Sequence, residues 1–189
     1  MRPGGRRSIR LRGYDCTKPG AYFLTICTAD RAPLFGEVFD GDMRLNGLGQ
    51  IIENEWLRSE TIRPEIVLDA FVVMPNHLHG IVFITSGREP AGGDVGAHGG
   101  AHGRAPLRGH TPLRRPPRSL GSFVAGFKSA AALRGNRHRG TPGLPLWQRG
   151  TYEHIIRDGQ ALARIRRYIV SNPARWREAR VRSARGTAG

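Results

Sequence analysis

Two apolar runs stand either side of one Pro-Asn dipeptide, and no feature of the chain limits its fold more. Ile66–Met74 reads IVLDAFVVM and His77–Ile84 reads HLHGIVFI. Both are rich in β-branched and aromatic residues, and each has the length of a strand rather than a helix. Pro75-Asn76 breaks the run between them, so a hairpin is expected, two long antiparallel neighbours joined by a tight turn. Such a hairpin buries its apolar faces only against further strands or helices.

The rest of the chain offers those partners. Residues 21–28, AYFLTICT, form another β-branched and aromatic run, bounded by Gly20 and Asp30. Residues 35–39 suggest a short strand or turn. Asn46 is placed to cap a helix carrying Leu48, Ile51, Ile52, Glu55 and Trp56 at helical spacing, and Pro64 follows its end. Ser119 opens a helical stretch with Leu120, Phe123, Val124, Phe127 and Ala131 on one side, and a basic loop is expected from Arg134 to Gly143. Residues 151–156 read as a fourth strand. Asp158 is placed to cap a helix over 159–171 with Leu162, Ile165, Tyr168 and Ile169 on one stripe, ended by Pro173. Strands and helices mix without strict βαβ alternation, which predicts an α+β fold with a central antiparallel sheet flanked by helices.

Composition divides the chain. Residues 1–19 are a basic, turn-rich arm, 20–176 hold the folded domain, and 177–189 form an arginine-rich tail. Within the domain, residues 86–118 are a low-complexity insertion with the near-repeat GAHGGAHG at 96–103. Thirty Lys+Arg face fifteen Asp+Glu, a formal net charge of +15, and all but two of the bases are arginine. That field favours a polyanion, and the flat guanidinium fork pairs well with phosphate. No apolar run reaches the ~18 residues of a membrane span. The basic N-terminus has no apolar stretch behind it and does not read as a secretory leader. Cys16 and Cys27 fit neither a metal spacing nor a disulfide framework and read as reduced thiols of a cytoplasmic protein.

Two segments carry candidate chemistry. His77 and His79 lie at i and i+2 of a strand, so both imidazoles project from one face and are able to share a divalent metal. On chemistry alone the pair suits zinc in a hydrolase as well as any other metal enzyme. Gly80 leaves room for a backbone or ligand to come close. Tyr168 and Asn172 lie at i and i+4 of a helix, a phenol beside an amide oxygen. Equally, Tyr168 continues the core stripe and Asn172 caps a helix before Pro173. The other histidines carry less. His98, His102 and His110 fall in the insertion, His138 in the basic loop, and His154 serves either a ligand or the structure. Trp147 and Tyr152 suit either the core or a stacking platform for bases.

In order along the chain, residues 20–27, 71–81, 119–123 with Phe127-Lys128, 147–150, 152–157, and Tyr168-Ile169 with Asn172-Pro173 form a series. It resembles the single-tyrosine HUH transposases, most closely the REP-associated tyrosine transposases and their relatives among small insertion-sequence transposases. The likeness covers most of residues 9–176 outside the insertion, which departs from the family pattern. The resemblance implies a ferredoxin-like HUH domain in which His77, His79 and Asn172 hold Mg2+ or Mn2+. It makes Tyr168, rather than Tyr152, the nucleophile. The implied activity is cleavage and rejoining of hairpin-associated single-stranded DNA through a 5′-phosphotyrosine link, with no ATP or nicotinamide. Arg10, Arg12, Lys128 and Arg149 are the matching candidates for DNA contact, with Arg164, Arg167 and His154 in support. A catalytically silent hairpin-binding protein of the same fold is the alternative. The expected setting is cytoplasmic, nucleoid-associated when DNA is bound, as a monomer or a homodimer.

Overall fold

The computed structural model describes residues 19–85 and 119–176. The arm with Arg10 and Arg12, the insertion at 86–118 and the tail lie outside the described residues. In chain order the elements are β1 (Gly20–Cys27), β2 (Gly36–Phe39), β3 (Asp42–Leu45), α1 (Gly47–Ile62), β4 (Ile66–Met74), β5 (His77–Ile84), α2 (Leu120–Arg139), β6 (Tyr152–Ile156) and α3 (Gly159–Val170). A single 3-10 turn follows β1 at Ala29–Arg31.

The expected hairpin forms, with β4 and β5 pairing antiparallel from Met74 opposite His77 to Ile66 opposite Ile84. The four-stranded sheet runs β4-β5-β1-β6. Each of its pairings is antiparallel. β1 and β4, joined through α1, are parallel with β5 between them, and β5 and β6, joined through α2, are parallel with β1 between them. This is the split arrangement of two interlocked β-α-β units. It makes β5 and β1 the central strands. A second, two-stranded sheet pairs β2 with β3. The sequence reading reached β2 as a short strand or turn and missed β3, whose residues Asp42 to Leu45 mix charged and apolar side chains with little β-branching.

Alternation along the strands gives the main sheet two different faces. One presents Tyr22, Leu24, Ile26, Leu78, Val82 and Ile84 to Ile52 and Trp56 of α1 and to Phe123 and Phe127 of α2. The other presents Phe23, Ile81 and Ile156 to Ile169 of α3, with Leu162 and Ile165 packed alongside. The caps expected at Asn46 and Asp158 are present, accepting from the N–H of Gly49 and Ala161. Ser119 adds a reciprocal capping box with Ser122.

Three expectations change. The basic loop from Arg134 is helix as far as Arg139, where Gly140 ends it in the left-handed conformation at φ 65°. Gly135, inside this helix, lets α2 approach α1: a Cβ there would lie 2.8 Å from Leu48 Cδ1. Asn136 is buried and its amide donates to the Leu144 carbonyl at 2.7 Å. Pro173 does not close the last helix. α3 stops at Val170, Ser171 follows, and residues 172–176 form one further helical turn. A proline is tolerated in a first turn, where its missing N–H has no partner to lose. The space beside Gly80 is filled from within the protein, because a Cβ there would overlap the Trp56 indole.

Trp56 is fully buried at the meeting of both helices and the sheet, against Phe123 and Phe127 with ring centroids 5.5 and 5.2 Å away. Gly80→Ala is therefore expected to cost roughly 1–3 kcal/mol, the usual price of overpacking. Urea unfolding checks this, and a Trp56→Leu background should reduce that loss sharply. The same cost in both backgrounds would show that the indole is not what the methyl meets.

Candidate functional site

The face covered by α3 carries the histidine pair. Antiparallel register sets His79 opposite Thr25 of β1 and Val72 of β4, and sets Thr25 opposite Tyr152 of β6. His77 and His79 thus project together, their ring centroids 4.4 Å apart and their planes at 73°. Leu78 between them points into the opposite core and is fully buried. His79 stacks on Phe23 at 5.3 Å.

α3 brings the phenol. The Tyr168 hydroxyl lies 3.2 Å from His79 Nε2, a hydrogen bond across 89 residues of chain. The Tyr168 ring meets Phe23 edge-on at 6.1 Å, yet the residue stays 39% exposed, so its hydroxyl is anchored while the residue remains open to solvent. Arg166, two residues earlier, forms a forked ion pair with Asp69 of β4, Nε and Nη2 reaching Oδ2 at 3.0 and 2.5 Å. Burial raises the Asp69 carboxyl, but the hydrogen bonds from Arg166 and the Ala70 N–H outweigh it and leave the group below its ordinary range. This pair ties α3 to the edge strand next to β5.

Each imidazole has a partner on Nδ1. His79 Nδ1 lies 2.9 Å from Thr25 Oγ1, and His77 Nδ1 lies 2.7 Å from Asn76 Oδ1. Burial lowers His77 to about 4, with the Arg31 charge adding to the effect. Burial likewise lowers His79 to about 3, helped by its neighbour His77 and opposed by a hydrogen bond to the Leu24 backbone. Both rings are therefore neutral near pH 7, each holding one lone pair, the state in which imidazole binds a metal.

Asn172 is buried, but it does not continue Tyr168's helix as the i, i+4 spacing suggested: α3 stops at Val170 and Asn172 opens the separate turn after Ser171. No hydrogen bond joins it to either imidazole among the described residues. The turn at 172–176 carries Trp176, whose ring lies 5.7 Å from that of His77. Among the described residues no group of three His, Cys, Asp or Glu is arranged to hold a metal. The donors here are two imidazole nitrogens, and a third protein donor would have to be an amide or hydroxyl oxygen.

The remaining candidates are spread out. Trp147 is core, packed on Phe35 and Phe127, its Nε1–H donating to the Lys128 carbonyl at 3.1 Å. Lys128 Nζ donates to the carbonyls of Gln148 and Gly150 at 2.7 and 3.0 Å, holding the loop from which Arg149 extends into solvent. Tyr152 is exposed and meets Phe23 edge-on at 6.2 Å. His154 is exposed on β6, opposite Phe23. Arg164 and Arg167 are exposed on α3. Arg166, Arg167, Val170, Ser171 and Arg175 line an open concavity of about 500 Å³ along that helix.

The sequence reading missed Phe23, Thr25, Asn76 and Trp176 as parts of the site. Phe23 and Thr25 were legible as face-mates once β1 was placed beside β5. Trp176 was not, because Pro173 suggested an end rather than a new turn.

The lowered imidazole values fix a pH dependence. Between 6.5 and about 4 for His77, and 6.5 and about 3 for His79, the unfolded chain binds protons that the folded chain does not. Stability is full above that window and falls as pH drops through it, by about 1.4 kcal/mol per pH unit for each proton. Urea midpoints measured from pH 7 to pH 5 should fall steeply in the natural protein and less in a His77→Gln, His79→Gln variant. Equal slopes would mean that the rings are not buried and neutral.

No family model matches the sequence. The fold is similar to the solved structure of a REP-associated tyrosine transposase bound to a REP hairpin, with a TM-score of 0.52, 19% identity, and coverage of 93% of this chain and 74% of that one. At that identity the likeness is one of fold. An uncharacterized protein of Haemophilus influenzae is 35% identical over 174 residues, spanning 92% of this chain and 91% of its own. With that identity held over nearly the whole of both chains, the protein belongs to the same family as its Haemophilus influenzae relative.

Proposed function

We propose that this protein is a metal-dependent tyrosine transposase of the HUH type, cleaving and rejoining single-stranded DNA at hairpin-associated sites. The observation that carries the reading is the 3.2 Å contact between the Tyr168 hydroxyl and His79 Nε2, made by residues 89 positions apart. A phenol kept solvent-accessible at the mouth of a buried, neutral imidazole pair is an arrangement with a chemical use and little packing value. The fold likeness to a hairpin-bound tyrosine transposase agrees with it.

In this reading His77 and His79, with Asn172 as the oxygen donor, hold a divalent cation. When bound, that ion supplies Lewis acidity to the scissile phosphate. The donor chemistry fits, since both rings are neutral and partnered on Nδ1. The chain's own residues do the rest. The Tyr168 oxygen attacks phosphorus; a P–O(Tyr168) bond forms, the P–O3′ bond breaks, and the phenol proton is made up on the departing 3′ oxygen. Rejoining is the reverse, and conserves the phosphodiester energy in the protein link. Arg167 and Arg175 line the concavity along α3 and neutralise backbone phosphates there, with Arg164 exposed one turn earlier on the helix. Arg149, exposed on the loop that Lys128 holds, and Arg10 and Arg12 of the N-terminal arm are the further candidates for phosphate contact.

Incubation with a fluorescent single-stranded hairpin and Mn2+ should give a covalent adduct that survives denaturing electrophoresis. Tyr168→Phe should abolish it while hairpin affinity stays within about two-fold, because the charge field supplies most of the binding. His77→Ala should lower adduct formation at least ~100-fold with affinity similarly kept. Hairpin binding without any adduct, whatever the divalent ion, would instead identify a silent binding protein. Cleaved product without a protein link would identify a hydrolase that uses water.

The donor set also orders the metals. Two nitrogen donors favour Mn2+ over the harder Mg2+, so half-maximal adduct formation is expected at about ten-fold lower Mn2+ than Mg2+. Equal requirements in a metal titration would argue that imidazole does not bind the ion.

A further inference from the structure

The Pro75-Asn76 turn is held from both sides. The Thr28 N–H donates to the Asn76 carbonyl at 2.9 Å, and the Phe35 N–H donates to the Pro75 carbonyl at 3.0 Å. The Thr28 hydroxyl, fully buried, lies between the carbonyls of Asn76 and Ala32 at 3.0 and 2.8 Å. In the segment between, Asp30 and Arg31 both take positive φ, 52° and 54°, a conformation that residues with a Cβ adopt only when their surroundings impose it. That bend turns the Arg31 carbonyl to the Asn76 side chain, whose Nδ2 donates to it at 3.0 Å.

This bond settles which way the Asn76 amide faces. Reversed, it would set its own oxygen against the Arg31 carbonyl oxygen at the same distance, two acceptors with no proton between them. The Nδ2 end is therefore fixed on Arg31 and the Oδ1 end on His77 Nδ1, at 2.7 Å. An amide oxygen only accepts, so the proton of that bond belongs to Nδ1. In the neutral ring the remaining lone pair is then on Nε2. Thr25 does not do this for His79, because a hydroxyl both donates and accepts.

We propose that Asn76 is a positioning residue that fixes His77 as the Nδ1–H tautomer, with Nε2 as its metal-binding atom. The value of such a residue rests on the metal reading above; its effect on the tautomer does not. Through Asn76, the strained bend at Asp30-Arg31 sets the donor state of a side chain on a different element.

Long-range 1H–15N NMR of the imidazoles, recorded without metal, tests the tautomer directly. In the natural protein His77 should be protonated at Nδ1; a ring protonated at Nε2 overturns the proposal. Asn76→Asp keeps the acceptor for His77 but loses the donor to Arg31, whereas Asn76→Leu loses both. The tautomer should persist in Asn76→Asp and be lost in Asn76→Leu. Mn2+ affinity by calorimetry should fall only a few-fold in the first and roughly 10–100-fold in the second, the usual cost of removing a partner behind a metal ligand. A purely structural role in the turn predicts equal losses in the two variants, and that result overturns the proposal. A natural protein with the Nδ1–H tautomer but no Mn2+ binding would uphold Asn76 and remove the metal reading instead.

Discussion

The register of β5 against β1 is the constraint from which the site follows. It sets Thr25 opposite His79 and Cys27 opposite His77, and so puts both imidazoles on the face that α3 covers. A slip of one residue would turn the rings into the Trp56 core and bring Leu78 out among polar groups. Register here is strongly specified because both faces are apolar and differently shaped. One accepts two helices around an indole, and the other accepts a single helix over Phe23 and Ile81.

On that base, three attachments place the phenol. Ile169 is buried against Ile81 and Ile156, Arg166 is paired with Asp69, and the Tyr168 ring rests edge-on against Phe23. They lie within four consecutive residues of α3, and each uses a different kind of interaction. Apolar burial holds the helix down, charge sets its position over β4, and the aromatic contact turns the phenol toward His79. Phe23 has a second duty as the floor on which His79 stacks, so phenol and imidazole share one support.

How much of this was legible follows from where the information sits. The hairpin, both central strands and the caps at Asn46 and Asp158 were readable because each depends on neighbours a few residues away. The projection of His77 and His79 from one face was readable for the same reason, as i and i+2 of a strand share a face. The meeting of Tyr168 with His79 was an expectation from resemblance, since no local pattern measures a distance across 89 residues. The errors share a cause. The stretch from Arg134 was read as a loop and Pro173 as a helix end, when the first continues α2, with Gly135 allowing close approach to Leu48, and the second opens a new helical turn. Gly80 was read as room for a backbone or a ligand, and only packing shows that the occupant is an indole. Asn76 was read as a turn former and nothing more; its second bond, to the Arg31 carbonyl, depends on a backbone bend at Asp30-Arg31 that no residue there announces.

His79 and Gly80 are consecutive, so the imidazole and the Trp56 indole stand back to back across one strand's thickness of backbone. Interior and histidine pair then cannot evolve separately at this point. A lineage that reshapes its α1–α2 interior around residue 56 displaces the peptide that carries His79, and natural variation at positions 56 and 80 should be coupled even though neither side chain lies on the imidazole face.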